Sequence, residues 1–154
     1  MSRTIPILVA AVILTGCPHN GLQPGAPVNV TRITPGASPV ATSGLREAQR
    51  TAIFDAATLS TVWEQAFKGR VPAPPVPDVD FEHEFVIVAA LGERASGGYT
   101  IEVAKAYEED GAVVANVLSV SPGKNCAVTT SMTQPIDIVK LPLPGSGRPA
   151  VRFA

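Results

Sequence analysis

Apolar side chains follow two different periods in the last two thirds of the chain. Leu59, Val62, Trp63, Ala66 and Phe67 stand at i, i+3, i+4, i+7 and i+8, the spacing that lines one face of a helix. Asp55 is placed to cap its start and Gly69 to stop it. The preceding run Gln-Arg-Thr-Ala-Ile-Phe, residues 49–54, reads as a short strand entering that helix. Residues 71–78 hold four prolines, an extended connector that no central strand accommodates. After it, β-like runs fall at 85–91, 99–108, 112–120, 126–133, 136–141 and 150–153, each break carrying Gly or Pro turn chemistry. The expected fold is mainly β, an antiparallel sheet or small sandwich with one amphipathic helix packed on it.

Upstream the pattern changes twice. Arg3 precedes the apolar stretch 5–14, which is shorter than the ~20 residues a bilayer core demands. A charged start, a short apolar core and small residues at its end describe a secretory signal peptide. Its last residues, Leu14-Thr15-Gly16-Cys17, resemble the lipobox of bacterial lipoproteins. That resemblance implies removal of residues 1–16 and acylation of Cys17, and several acyl chains at ~0.8 kcal/mol per buried methylene make a stable membrane anchor. Residues 17–44 are then expected to be the lipidated cysteine and a flexible tether. Residues 18–44 contain five Pro, four Gly, no aromatic and a single formal charge, Arg32, and without a period such a segment does not recover its ordering entropy by burial. Asn29-Val30-Thr31 matches the N-glycosylation sequon, but beside a bacterial lipobox a plain spacer is the simpler use. All eight aromatic residues lie between Phe54 and Phe153, which assigns the core to a domain over 45–154. The expected location is the cell envelope, lipid-anchored. In a two-membrane cell that is the outer membrane, because Pro18 is not the Asp that commonly retains lipoproteins at the inner one; otherwise it is the outer face of the plasma membrane.

Composition narrows the function. A chain of 154 residues has room for one domain, and its core buries roughly two thirds of the unfolded surface without metal or disulfide. Twelve basic against 13 acidic side chains leave none of the basic footprint of a nucleic-acid binder. With Cys17 acylated, Cys126 is the one unmodified thiol, so neither an intramolecular disulfide nor a structural zinc site is available. Cys126 opens the run Cys-Ala-Val-Thr-Thr and is expected to be a small buried strand residue. His19 and His83 are the only imidazoles, with no arrangement for a serine triad. Asp80-Phe81-Glu82-His83-Glu84 offers ligand chemistry, but neighbours on an extended chain point to opposite faces, so a solvated strand entrance is expected there. The loop 92–98 has the glycine spacing of a phosphate loop, yet Gly98 and Tyr99 stand where Lys and Ser or Thr are required. The expectation is a non-enzyme without cofactor or metal.

That loop is nevertheless the candidate binding site, with Glu93, Arg94, Ser96, Gly97, Gly98 and Tyr99 as its residues. Its glycines permit positive φ and the close approach of another backbone, and loops carry function more often than scaffolds do. Two readings stay open: Gly97-Gly98 only shape a hairpin turn, or the loop is a contact surface. Tyr99 likewise is either core with its hydroxyl at the rim or part of that surface.

The segment Val79-Asp80-Phe81, then residues 86–103 with Gly92-Glu93-Arg94-Ala95-Ser96-Gly97-Gly98-Tyr99 at their centre, resembles the signature of the PrcB C-terminal family, in which an apolar strand leads into Gly-x-x-Pro-Thr-Gly-Gly-Tyr and a second strand. The likeness continues through Ser121-Pro122-Gly123, Cys126-Ala127-Val128-Thr129 and residues 133–140, and the helix with Trp63 takes its expected place, so it extends over about 45–153. Ala95, Ser96 and Ile136 stand where the family commonly has Pro, Thr and an aromatic. The family is named for a lipoprotein subunit that associates with a surface protease complex. The resemblance implies a non-catalytic, envelope-anchored interaction domain, accessory to an exported protease complex, with the 92–99 loop as first contact. Two other classes stand beside it. Ser96-Gly97-Gly98-Tyr99 has a distant likeness to the Thr-Thr-Gly-Tyr loop of chagasin-type cysteine-protease inhibitors, which would make the protein a loop-inserting inhibitor. A binder of a small apolar ligand between sheet and helix is the third.

Overall fold

The computed structural model describes residues 25–145 and 147–154; the expected signal peptide, Cys17 and the first residues of the tether lie outside them. The strand β4 (Glu84–Ala90) sets the layering. Its side chains alternate: Val86, Val88 and Ala90 face one core, Phe85, Ile87 and Ala89 another. A strand covered on both faces reads as a continuous apolar run rather than an alternating one, which is why Glu-Phe-Val-Ile-Val-Ala-Ala carries no polar interruption after its first residue. Each large side chain buried this way contributes roughly 1.5–3 kcal/mol.

On one face of β4 lies the helix α1 (Ala56–Ala66). Asp55 caps it, its carboxylate accepting from the Thr58 N–H at 2.8 Å, and Leu59, Trp63, Ala66 and Phe67 are buried against Val86, Val88, Ile136 and Ile138. On the other face lies a second sheet. The first sheet has the order β2 (Thr31–Arg32), β7 (Ile136–Pro142), β4, β3 (Gln49–Ile53), and the second β1 (Ala26–Val28), β5 (Thr100–Glu109), β6 (Ala112–Val120), β8 (Ala150–Phe153). All pairs are antiparallel except β6 with β8. The described residues thus form a mainly β sandwich of two four-stranded sheets with one amphipathic helix outside the first. The second sheet is buried on one side only, through Ile101, Val103 and Ala106 of β5 and Val113, Ala115 and Val117 of β6. A bulge between Val103 and Lys105 shifts the alternation by one residue.

Two expectations fail here. The tether over 17–44 is not a free linker from Gly25 onward. Ala26, Pro27 and Val28 pair with Glu108, Tyr107 and Ala106, Thr31 and Arg32 pair with Lys140 and Val139, and Val40 bridges Ile136. Residues 25–44 form a strap that crosses from one sheet to the other, so the folded unit begins before Leu45. Its strands are two and three residues long, too short to show a period, and Pro27 is tolerated because β1 is an edge strand. The second failure is the strand expected over 126–133. Residues 121–135 connect β6 in one sheet to β7 in the other, and both strands already have two neighbours. The run joins neither sheet as a strand; its backbone pairs only with the 91–99 loop, through an isolated bridge between Arg94 and Thr133 and a bond from Gly97 to Thr129, and Cys126 is exposed rather than buried.

Candidate functional site

Two connections meet at one end of the sandwich. The 91–99 loop leaves β4 for β5, and the 121–135 loop leaves β6 for β7. Backbone hydrogen bonds lace them together: Arg94 and Thr133 exchange N–H to carbonyl bonds at 2.8 and 2.9 Å, and the Gly97 N–H donates to the Thr129 carbonyl at 3.0 Å. The Thr133 hydroxyl donates to the Ser96 carbonyl at 2.8 Å. Glu93 takes a long bond from the Gln134 amide at 3.4 Å and lies 3.8 Å from the Arg46 guanidinium. Of the six residues expected to bind, Ser96 and Gly97 are tied into this seam. Glu93 sits exposed at its edge. Arg94 and Tyr99 meet above it, the guanidinium carbon 5.8 Å from the ring centroid, and both side chains are half-buried.

Gly98 has φ +84, and a Cβ there would lie 3.0 Å from the Pro122 side chain and 3.1 Å from that of Val128. Both the left-handed backbone and the closeness of the second loop require glycine. Gly98→Ala is expected to destabilise the domain by ~1 kcal/mol or more, read from the midpoint of urea unfolding. An unchanged midpoint would mean the two loops do not pack.

The roots of both loops are held by a buried carboxylate. Asp137, the second residue of β7, is fully buried. Its oxygens accept from Arg32 Nε at 2.7 Å, an Arg32 terminal nitrogen at 3.0 Å, the Val103 N–H at 2.9 Å and the Thr34 hydroxyl at 3.4 Å. Arg32 also reaches Glu102 at 3.0 Å. The carboxylate thus takes the N–H of β5 beside its bulge and joins the strap, the first sheet and the second at one point. The hydrogen bond to Asp137, more than any other influence, raises the Arg32 pKa. Sequence reading missed this cluster. Its signals were an acid inside the apolar run Ile-Asp-Ile-Val and a lone arginine in an otherwise uncharged stretch.

It missed a second feature as well. Leu118 is 58% exposed, Val120 57%, Met132 60%, and Val128 is exposed too. Leu118 and Val120 occupy the outward face of β6, registered against Glu102 and Thr100, and Val128 and Met132 come from the second loop. An antiparallel sheet with one wet face normally alternates apolar-in and polar-out, whereas β6 is apolar at Val114, Leu118 and Val120 as well as at its inward positions. That excess was readable. Exposed apolar groups at the end of a strand and along the loop that continues it are candidates for an interaction surface.

The segment at 80–84 also differs from expectation. It is a turn, with the His83 and Glu84 N–H groups donating to the Asp80 carbonyl at 3.0 and 2.7 Å. Asp80, Glu82 and His83 therefore converge, their ligand atoms within 4.8 Å of one another. All three are exposed, and His83 Nδ1 lies 2.7 Å from Asp80. The pairing lifts the His83 pKa above its ordinary value and pulls that of Asp80 below its own. Its stabilisation of the turn is present below the unfolded pKa of His83 and lost as pH rises through the folded one. On the acid side it fades as pH falls through that of Asp80. In an NMR titration Asp80→Asn is expected to return the His83 pKa toward the ordinary histidine value; an unmoved titration would contradict the pairing.

Among the described residues no helix is long and apolar enough to cross a membrane. The family model of the PrcB C-terminal domain matches residues 85–142, which runs from β4 to β7 and holds both laced loops, Asp137 and the apolar patch. The helix with Trp63, the strap and β8 fall outside it, a narrower span than the resemblance over 45–153 implied. No curated protein and no solved structure matches the chain.

Proposed function

We propose, from the PrcB C-terminal domain over residues 85–142, that this is a non-catalytic interaction protein of the cell envelope. In this reading it is anchored through acylated Cys17, at the outer membrane where the cell has two, and serves as an accessory subunit of an exported protease complex. The observation that carries the reading is that Leu118 and Val120, on the outward face at the end of β6, and Val128 and Met132, on the loop that continues it, are all exposed, with that loop hydrogen-bonded to the 91–99 loop. A preorganised apolar surface binds without the ordering cost that a mobile loop incurs. Arg94 and Tyr99, at its border, belong to the residue types in which interface energy concentrates.

The two other classes have less support. Loop insertion needs a projecting loop, whereas Ser96 and Gly97 are bonded to Thr129 and Thr133. The space between α1 and the sheet is filled by Leu59, Trp63, Phe67, Val86, Val88 and Ile138, all buried.

The test is recovery of envelope proteins with the full-length protein from its own membranes. Leu118→Asp and Met132→Asp are expected to reduce the bound partner by about tenfold or more, the effect of one lost hot spot. Val71→Asp, at an exposed apolar residue in the connector after α1, leaves binding unchanged. Equal recovery by all three would refute the surface.

A further inference from the structure

We infer that the partner docks from the aqueous side, as a water-soluble exported protein or complex, because the strap delivers the chain to the end of the sandwich opposite the apolar surface. This rests on the anchored reading above. Ala26 registers with Glu108, at the far end of β5, while Thr100 at the near end registers with Val120 beside the two loops. β5 is ten residues long, so at ~3.3 Å per residue its ends are about 30 Å apart. The pairing of β1 and β2, locked by Arg32 on Asp137, fixes where the anchored segment leaves the domain. Had residues 17–44 all been free, ~90 Å of extended chain would have let either end face the lipid. Instead Gly25 stands only eight positions after Cys17, and eight Cα-to-Cα steps reach at most ~28 Å. The end carrying Glu108 and Glu109 is therefore held near the membrane. Leu118, Val120, Val128 and Met132 are held away from it, where a membrane-embedded partner does not reach them.

Cys126, exposed on the second loop, provides the probe. The acylated protein is purified, placed in phosphatidylglycerol–phosphatidylethanolamine vesicles with an energy acceptor on the headgroups, and labelled with a donor at Cys126. A second preparation carries the donor at Glu108→Cys with Cys126→Ser. The expected result is transfer at least about twofold weaker from residue 126 than from residue 108, given the ~30 Å between the two ends of β5. Equal or stronger transfer from residue 126 overturns the orientation while leaving the anchor intact. Failure of the anchored reading itself shows separately, as a mature N-terminal peptide without acyl mass and a protein that does not float with vesicles; the orientation then falls with it.

Discussion

Arg32→Met is expected to destabilise the domain by about 3–5 kcal/mol, the cost of leaving a buried charge without its partner. The carboxylate of Asp137 has no exposure to water, and two of its four hydrogen bonds come from this guanidinium. The Val103 N–H and Thr34 hydroxyl remain, but neither supplies positive charge. Arg32→Lys keeps the charge and loses the two-point geometry, so it is expected to fall between. Replacing both members, Arg32→Met with Asp137→Leu, is expected to recover only part of the loss, because the unpaired charge is gone but the Val103 N–H and the Thr34 hydroxyl lose their acceptor. Urea unfolding at constant slope reads all three. Arg32→Met unfolding at the wild-type midpoint would contradict the strap, since Arg32 lies in the stretch whose composition suggests a free linker.

Trp63→Ala is expected to cost a similar ~3–5 kcal/mol, the usual range for truncating a buried aromatic. The ring is 3% exposed, packs 4.6 Å from Phe67 and donates its N–H to the Pro74 carbonyl at 3.0 Å. That last bond also fastens the proline-rich connector, so the variant frees residues 71–78 as well as opening a cavity. Against a total of ~5–15 kcal/mol for an ordinary domain, the loss is a large fraction. Trp63 is the only tryptophan, and its emission in the folded protein is expected to be that of a buried indole. Emission as in water, or a thermal midpoint within a degree of wild type, would mean that the helix does not cover the sheet.

What the sequence discloses divides along the distance over which each contact is made. The helix is written locally, in the Asp55 cap and a stripe from Leu59 to Phe67 that includes Trp63. The strands over 112–120 and 150–153 stand where their periods put them. β4 betrays its two covered faces by lacking alternation. The strap is different: Arg32 and Asp137 are 105 residues apart, and nothing in a five-proline stretch announces an edge strand. The run at 126–133 shows the converse, local β propensity that meets only the 91–99 loop rather than a strand of either sheet, so Cys126 and Val128 end in a loop. For the candidate surface, the 92–99 loop was legible through its glycines, but not that Ser96 and Gly97 face a second loop. Leu118 and Val120 could have been found, because their parity in β6 sets them opposite Val113 and Val117.

Site-specific photo-crosslinking in the living cell tests most directly the surface formed by the two loops and the outer end of β6. A photoreactive residue at Leu118 or Met132 of the full-length protein is expected to capture the same exported protein from both positions, with none captured from Val71. Capture from Val71 but from neither Leu118 nor Met132 would contradict it.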